Sequence, residues 1–350
     1  MKATKHIFRW HHWCGLIAGI FLLMMSLSGS ILVFSEEMEG VEEQSYPKVA
    51  PIPGVPSFDV SFSRVRSLYP GWEIRLYHLP EKDKALVYEL RKNEQRKKVF
   101  VHPVSGDIIG SNENANQTLQ RQLLLYHYTL FSGTKGKVVV FLIGILFLVT
   151  LITGLIVYRR SILKTISFKQ KLNRRSARAL YSSLHRIVGV WSVIFNLLIV
   201  ATGLWLSGQI AWTALNAAST PGQSAASMTV ASIDDIIQKI RTARPDYEIH
   251  LVRIRPGSNK VGVSGRLKSD PSYYGNYYSV FVVDGQSSEI LSSSFLKDQA
   301  VGGKLSKMAG PLHFGNYGGP LLKILYCILG LTPGLLSITG FILWTRKRKK

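Results

Sequence analysis

Apolar residues in this chain do not spread evenly. They gather in four stretches, 15–35, 138–158, 187–207 and 321–344, almost free of charge and each about 20 residues long, the length that crosses a bilayer core as a helix. Buried helices of soluble proteins seldom reach that length and apolarity four times in one chain. Between the stretches the pattern changes. Residues 58–69 read as a helix, and 72–79, 85–91 and 97–102 alternate as strands. Further on, 231–243 reads as an amphipathic helix, followed by alternating runs at 248–255, 260–267 and 277–284. Asp234 and Asp235 fall in the first turn of that helix, where the helix dipole favours anions. The pattern predicts membrane helix, small α+β segment, membrane helix, and then the same again.

Charge gives the pattern a direction. The chain has 350 residues, 43 Lys and Arg against 21 Asp and Glu, and a formal net charge of +22. Such a surplus points at first to nucleic acid, but its placement argues against that partner. All 21 acidic residues lie within 36–113 and 234–298. The 159–178 segment carries Arg159, Arg160, Lys164, Lys169 and further bases but no acid, and the chain ends on basic residues from Arg346 onward. Lys2, Lys5 and Arg9 make the start basic as well. Bases on one side and acids on the other follow the positive-inside rule, with anionic lipid as the partner of the basic surface. Both termini and the 159–184 loop are thus expected in the cytoplasm, and 36–126 and 209–312 beyond the inner membrane. The first stretch is expected to stay as a helix, because no small-residue cleavage site closes it as in a signal peptide.

The two halves repeat. At an offset of 174 residues, His11, Gly15 and Gly29 correspond to His185, Gly189 and Gly203. At an offset of 186, His127, Gly144 and Gly154 correspond to His313, Gly330 and Gly340. Between them, Pro70-Gly71-Trp72-Glu73-Ile74 resembles Pro245-Asp246-Tyr247-Glu248-Ile249. The expected architecture is an α-helical bundle of four transmembrane helices made by internal duplication, a parallel repeat about an axis along the membrane normal. Two small α+β extracytoplasmic domains complete it. The boundaries are 1–35, 36–126, 127–158, 159–184, 185–208, 209–312 and 313–350.

The histidines carry the candidate chemistry. His11 and His185 fall at the cytoplasmic ends of helices 1 and 3, and His127 and His313 at the opposite ends of helices 2 and 4. A pseudo-two-fold axis lets each pair face across the bundle. Two facing imidazoles clamp a haem iron from both sides, and a bundle core is a common place for such a site. Gly15 and Gly189, one turn from His11 and His185, would make room for a flat porphyrin. Arg9, Arg186, Lys135, Lys137 and Lys323 are candidates for the anionic propionates. His12 has no counterpart, since Arg186 takes its place, and it is a secondary candidate beside His11. His6, His78, His102 and His250 read as surface residues. The chain has only two cysteines, Cys14 and Cys327, and no Cys-x-x-Cys-His, so any haem is held without covalent attachment. A lone interfacial histidine or a proton relay explains single positions, but the four spans hold no Asp or Glu to continue a relay.

With these motifs the chain resembles the PepSY-associated transmembrane helix family. These are iron-regulated membrane proteins that include ferric-siderophore reductases such as the ferrioxamine reductase. The resemblance is carried by His11 with Cys14-Gly15 and Ser28-Gly29, by His127 with Thr153-Gly154, by Leu184-His185-Arg186 with Thr202-Gly203, and by Leu312-His313 with Thr339-Gly340. The segments between look like PepSY units, with a Val104-Ser105-Gly106-Asp107 turn that Asp284-Gly285-Gln286 replaces in the second copy. The resemblance implies an inner-membrane protein holding two b-type haems that reduces a ferric siderophore or another ferric chelate on the periplasmic side. No Gly-x-Gly-x-x-Gly dinucleotide fingerprint appears, so the expected donor is a cytoplasmic electron carrier or a quinol. Tyr273-Tyr274-Gly275-Asn276-Tyr277-Tyr278 and Phe314-Gly315-Asn316-Tyr317 are the candidate groups around the iron complex. A non-enzymatic PepSY-type binding or regulatory protein, and a transporter of the intact chelate, are the alternatives.

Overall fold

The computed structural model describes residues 2–50, 53–77, 84–217 and 230–348; His78 lies outside them. In chain order the elements are α1 (Lys2–Leu32), α2 (Ser35–Glu43), α3 (Phe58–Leu68), β1 (Glu73–Tyr77), β2 (Leu86–Lys92), β3 (Gln95–Val101), β4 (Ile108–Asn112) and α4 (Leu119–Thr129). There follow α5 (Gly133–Tyr158), α6 (Ile162–Ile166), α7 (Ala177–Ala217), α8 (Ile233–Ala243), β5 (Tyr247–Ile254), β6 (Lys260–Leu267), β7 (Ser279–Asp284) and β8 (Ile290–Ser294). The chain closes with α9 (Val301–Phe314), α10 (Gly319–Gly330) and α11 (Thr332–Arg348). These elements form two compact units.

The first unit is helical. Four of its segments are long and apolar enough to cross a membrane: Lys5–Leu32, Gly133–Ile166, Ala177–Asn216 and Gly319–Arg346. The spanning helices form a ring in which α1 packs on α5 and α11, and α7 packs on the same two. So α1 and α7 stand diagonally across the bundle. Small residues bring the backbones close: a Cβ on Gly334 would lie 2.4 Å from Ser26 Oγ, and one on Gly330 2.7 Å from Ser30 Oγ.

Two departures from the sequence pattern matter. The last span is not one helix but two, α10 and α11, broken at Leu331. Pro333 has no N–H to return to the Leu329 carbonyl, and the Thr332 hydroxyl donates to that carbonyl at 2.6 Å instead. The side-chain oxygen of the fully buried Asn196 of α7 lies 3.3 Å from the same hydroxyl. Secondly, His127 and His313 are not at the ends of the second and fourth spans. They ride on the shorter helices α4 and α9, which reach the spans through turns. Leu130, Phe131 and Gly133 have positive φ in the first turn, and Gly315 and Gly319 in the second. A Cβ on Gly136 would lie 1.6 Å from the Thr129 carbonyl oxygen, so only glycine allows α4 to fold this tightly on α5.

The second unit is one antiparallel sheet of eight strands, in the order β4-β3-β2-β1-β5-β6-β7-β8. The expected two small domains share this sheet, joined where β1 pairs with β5 through Ile74↔Ile254 and Leu76↔Val252. Helices α3 and α8 cover one face with Phe58, Phe62 and Val65, and with Ile233, Ile236 and Ile240. Burying each such side chain contributes about 1.5–3 kcal/mol. The helix starts are capped reciprocally. Asp234 of α8 accepts from Phe58 N and Ser57 Oγ at the start of α3, 3.0 and 2.8 Å. Asp59 of α3 accepts from Ser232 Oγ, 2.6 Å, and from Ile233 N at the start of α8. The first-turn aspartate thus serves the neighbouring helix as well as its own.

Candidate functional site

The helical unit brings four histidines together as two pairs. His11 on α1 meets His185 on the diagonal helix α7, with ring centres 6.3 Å apart and ring planes at 83°. His127 on α4 meets His313 on α9, again with ring centres 6.3 Å apart, at 58°. Along α7, 18 residues separate His185 from Gly203, the residue that touches His313, or about 27 Å of helix.

What stands behind each imidazole is the same in all four cases. A Ser/Thr-Gly dipeptide on a neighbouring helix receives the ring. Cβ atoms placed on Gly154, Gly29 and Gly203 would lie 3.0, 2.9 and 3.0 Å from the Cε1 atoms of His11, His127 and His313, and one on Gly340 3.6 Å from that of His185. The glycines make the space the rings occupy. The residue just before each glycine sits at Nδ1. His127 Nδ1 lies 3.0 Å from Ser28 Oγ, His185 Nδ1 2.8 Å from Thr339 Oγ1, and His313 Nδ1 3.0 Å from Thr202 Oγ1. His11 Nδ1 lies 2.9 Å from the Thr150 carbonyl and 3.4 Å from Thr153 Oγ1.

Counting protons assigns the tautomer. The Thr202 and Thr339 hydroxyls each donate to the carbonyl four residues back, Leu198 and Leu335, at 2.8 Å. Ser28 donates to Met25 O, 3.1 Å. Each hydroxyl has one proton and has used it, so each accepts from the imidazole. The Thr150 carbonyl can only accept. All four rings therefore carry their proton on Nδ1, which leaves the Nε2 lone pair open in the neutral form. A hydrogen-bonded Nδ1–H with a free Nε2 is how proteins orient a metal-binding histidine.

The distance between rings is a second test. A metal–imidazole bond is about 2 Å, and the ring centre lies about 1.1 Å beyond the nitrogen, so two imidazoles sharing one metal have centres about 6.2 Å apart. Both pairs meet that spacing. Each pair offers two nitrogens and, among the described residues, no group of three or more His, Cys, Asp or Glu is placed to hold a bare ion. A metal held here would bring further ligands of its own.

Other expected residues sit elsewhere. Gly15 and Gly189 face Thr150 and Leu336 at ordinary contact distance, 3.5 and 3.7 Å. The glycines that shape the ring sites are the four named above, which the sequence shows as matched small residues without showing what they touch. His12 stacks on Phe8 and meets Trp13 on its own helix. Arg9 is exposed. Arg186 donates to Ser182 O, 3.0 Å, and its guanidinium lies over the Tyr158 ring. Lys323, expected near a propionate, is buried in an ion pair with Glu36, 2.8 Å, and Asn316 donates to the same carboxylate, 3.2 Å. Lys135 is exposed and Lys137 half-buried. Tyr317 shares a 2.9 Å hydrogen bond with the buried Tyr326, whose hydroxyl lies 3.0 Å from the carbonyl of Leu312, the residue before His313. In the sheet unit, His102 is buried rather than on the surface. Its Nδ1 accepts from Val104 N and Ser105 N, both 3.2 Å, and so organises the turn. His250 meets the Tyr277 ring, Tyr273 and Tyr274 contact each other, and Lys307 lies over Tyr278. His6 is exposed.

The family model described as PepSY-associated TM region matches residues 8–347. No curated protein matches the chain significantly.

Proposed function

This chain belongs to the PepSY-associated TM family, and on that footing we propose that it is a di-haem electron conduit that reduces a ferric chelate at the periplasmic face of the inner membrane. The observation that carries the reading is the pair of histidine pairs, each with ring centres 6.3 Å apart and every Nδ1 already engaged. His11 with His185, and His127 with His313, would each hold one non-covalent haem b. A porphyrin supplies four equatorial nitrogens, so a site with two protein nitrogens suits it. When bound, the two haems would let single electrons pass from one face of the bilayer to the other.

The chain's own residues do the rest. Ser28, Thr202 and Thr339, with the Thr150 carbonyl, would hold each imidazole in the Nδ1–H tautomer, so that Nε2 is left for the metal. The apolar spans keep water away, and the small residues hold α1 and α11 close. With both termini in the cytoplasm, as the charge pattern predicts, the His11–His185 pair lies toward the electron donor and the His127–His313 pair toward the substrate. The donor class is a quinol or an electron-carrying protein. One electron converts Fe(III) in the chelate to Fe(II), which hard oxygen ligands hold less tightly, and the iron is released. The matched offsets, the symmetric strand order and the reciprocal caps support an internal duplication, with PepSY-like halves sharing one sheet.

Protein purified after haem-replete expression is expected to show Soret and α bands, two haems per chain, and reoxidation of the dithionite-reduced form by ferric chelates. A preparation without those bands sinks the proposal.

A further inference from the structure

The sheet unit has two unlike faces. One is closed by α3 and α8. The other carries the alternate residues of the same strands, and its centre, at β1, β2 and β5, is built from guanidinium groups. Glu73 is shared by Arg75 and Arg253. Glu89 is shared by Arg91 and Arg96. Each carboxylate is thus outnumbered by two cations. Arg255, one residue past β5, adds a further cation around the same Glu73. Burial and then the neighbouring Arg253 hold its pKa below the usual guanidinium value.

Tyr77 lies in the middle of this group. Its hydroxyl oxygen accepts from Arg91 Nη2 at 3.0 Å and from Arg75 Nη1 at 3.4 Å. Both lone pairs are then in use, and the phenolic proton has no acceptor among the described residues. An arginine fork matches a carboxylate in two parallel bonds, and a phenol polarised by two cations is a strong donor to the same kind of oxygen.

We propose that this face, opposite α3 and α8 and around Tyr77, Arg75, Arg91, Arg253 and Arg255, binds multiply charged carboxylate ligands; α2 reaches it only at β3, where Glu42 pairs with Lys98. On the function proposed above, the chelate to be reduced is then an anionic ferric polycarboxylate, not a neutral or cationic complex. Charge complementarity and the free phenolic proton select that class.

The test uses the full-length protein in lipid nanodiscs and gallium(III) citrate, which has the charge of the ferric complex and cannot be reduced. Calorimetry is expected to show saturable binding that weakens as salt rises. Tyr77→Phe should weaken it about tenfold, the scale of one lost hydrogen bond to a charged group. The Arg253→Gln/Arg255→Gln double variant should lose it, and Arg241→Gln, on an exposed part of α8, should not change it. Citrate alone separates recognition of the carboxylates from recognition of the whole complex: weaker binding of citrate is expected, and equal binding overturns the claim that the chelate is the ligand. No binding by the wild type, or equal binding by all variants with unchanged circular dichroism, overturns the site. Because gallium binding needs no haem, missing haem bands with intact gallium citrate binding would remove the electron conduit and leave the site standing.

Discussion

In the His11–His185 pair both rings hang from helices that run through the whole bundle, α1 and α7. In the His127–His313 pair both hang from short helices, α4 and α9, which enter the spans through turns with positive φ. The rings have the same spacing in both pairs, yet the support differs. The first pair is fixed by helix packing. The second is fixed by backbone that only certain residues tolerate: Gly136 against the Thr129 carbonyl, and Gly315, whose Cβ would lie 2.7 Å from Tyr326. A matched set of imidazoles thus does not require a matched scaffold, and the two pairs are expected to fail for different reasons.

The largest effect should come from the imidazoles. His185→Ala is expected to remove about one of two haem equivalents, and His313→Ala the other, by pyridine haemochrome assay. Retention of both haems after either change would refute the pairing. Next, Gly136→Ala should empty the His127–His313 site and spare the other, since a Cβ there cannot coexist with the α4–α5 turn. Equal loss at both sites would show that the turn is not what distinguishes them. A finer contrast lies in the receiving glycines. Gly203→Ala puts a methyl 3.0 Å from the His313 ring and should lower occupancy and shift its spectrum, whereas Gly340→Ala, at 3.6 Å from His185, should be mild. The smallest difference is within one pair. Thr339→Val removes the hydroxyl 2.8 Å from His185 Nδ1 and should weaken haem binding by about 10–100-fold. Thr153→Val should do much less, because His11 relies on the Thr150 carbonyl. Haem titration of the two apoproteins measures that gap.

Much of this was legible in the residues. Runs of apolar sequence announce spans because the bilayer demands length, and the offsets of 174 and 186 single out four histidines among nine. The apolar run around Leu331 hides the break, and Pro333 is its local signal. Strands β4 and β8 were missed as well. Their sequences, Ile-Ile-Gly-Ser-Asn and Ile-Leu-Ser-Ser-Ser, lie at the sheet edges, where there is no second neighbour to demand alternation. The meeting of each Ser/Thr-Gly with an imidazole was out of reach, since the partners are 99 to 154 residues apart and only packing joins them. His102 was assigned to the surface because a polar residue beside a turn usually is; here its ring replaces water as the acceptor for two backbone N–H groups.

The exchanged aspartates have a consequence in time. Asp234 is made 175 residues after Asp59, and at a synthesis rate of 5–20 residues per second that is a wait of about 10–35 s. Until then α3 lacks its second cap, and β1, whose later neighbour is β5, is an open edge. The first half of the sheet therefore has to be kept from pairing with other chains while the third span is still being made. A nascent chain stalled before residue 234 is the form of this protein most exposed to aggregation and proteolysis.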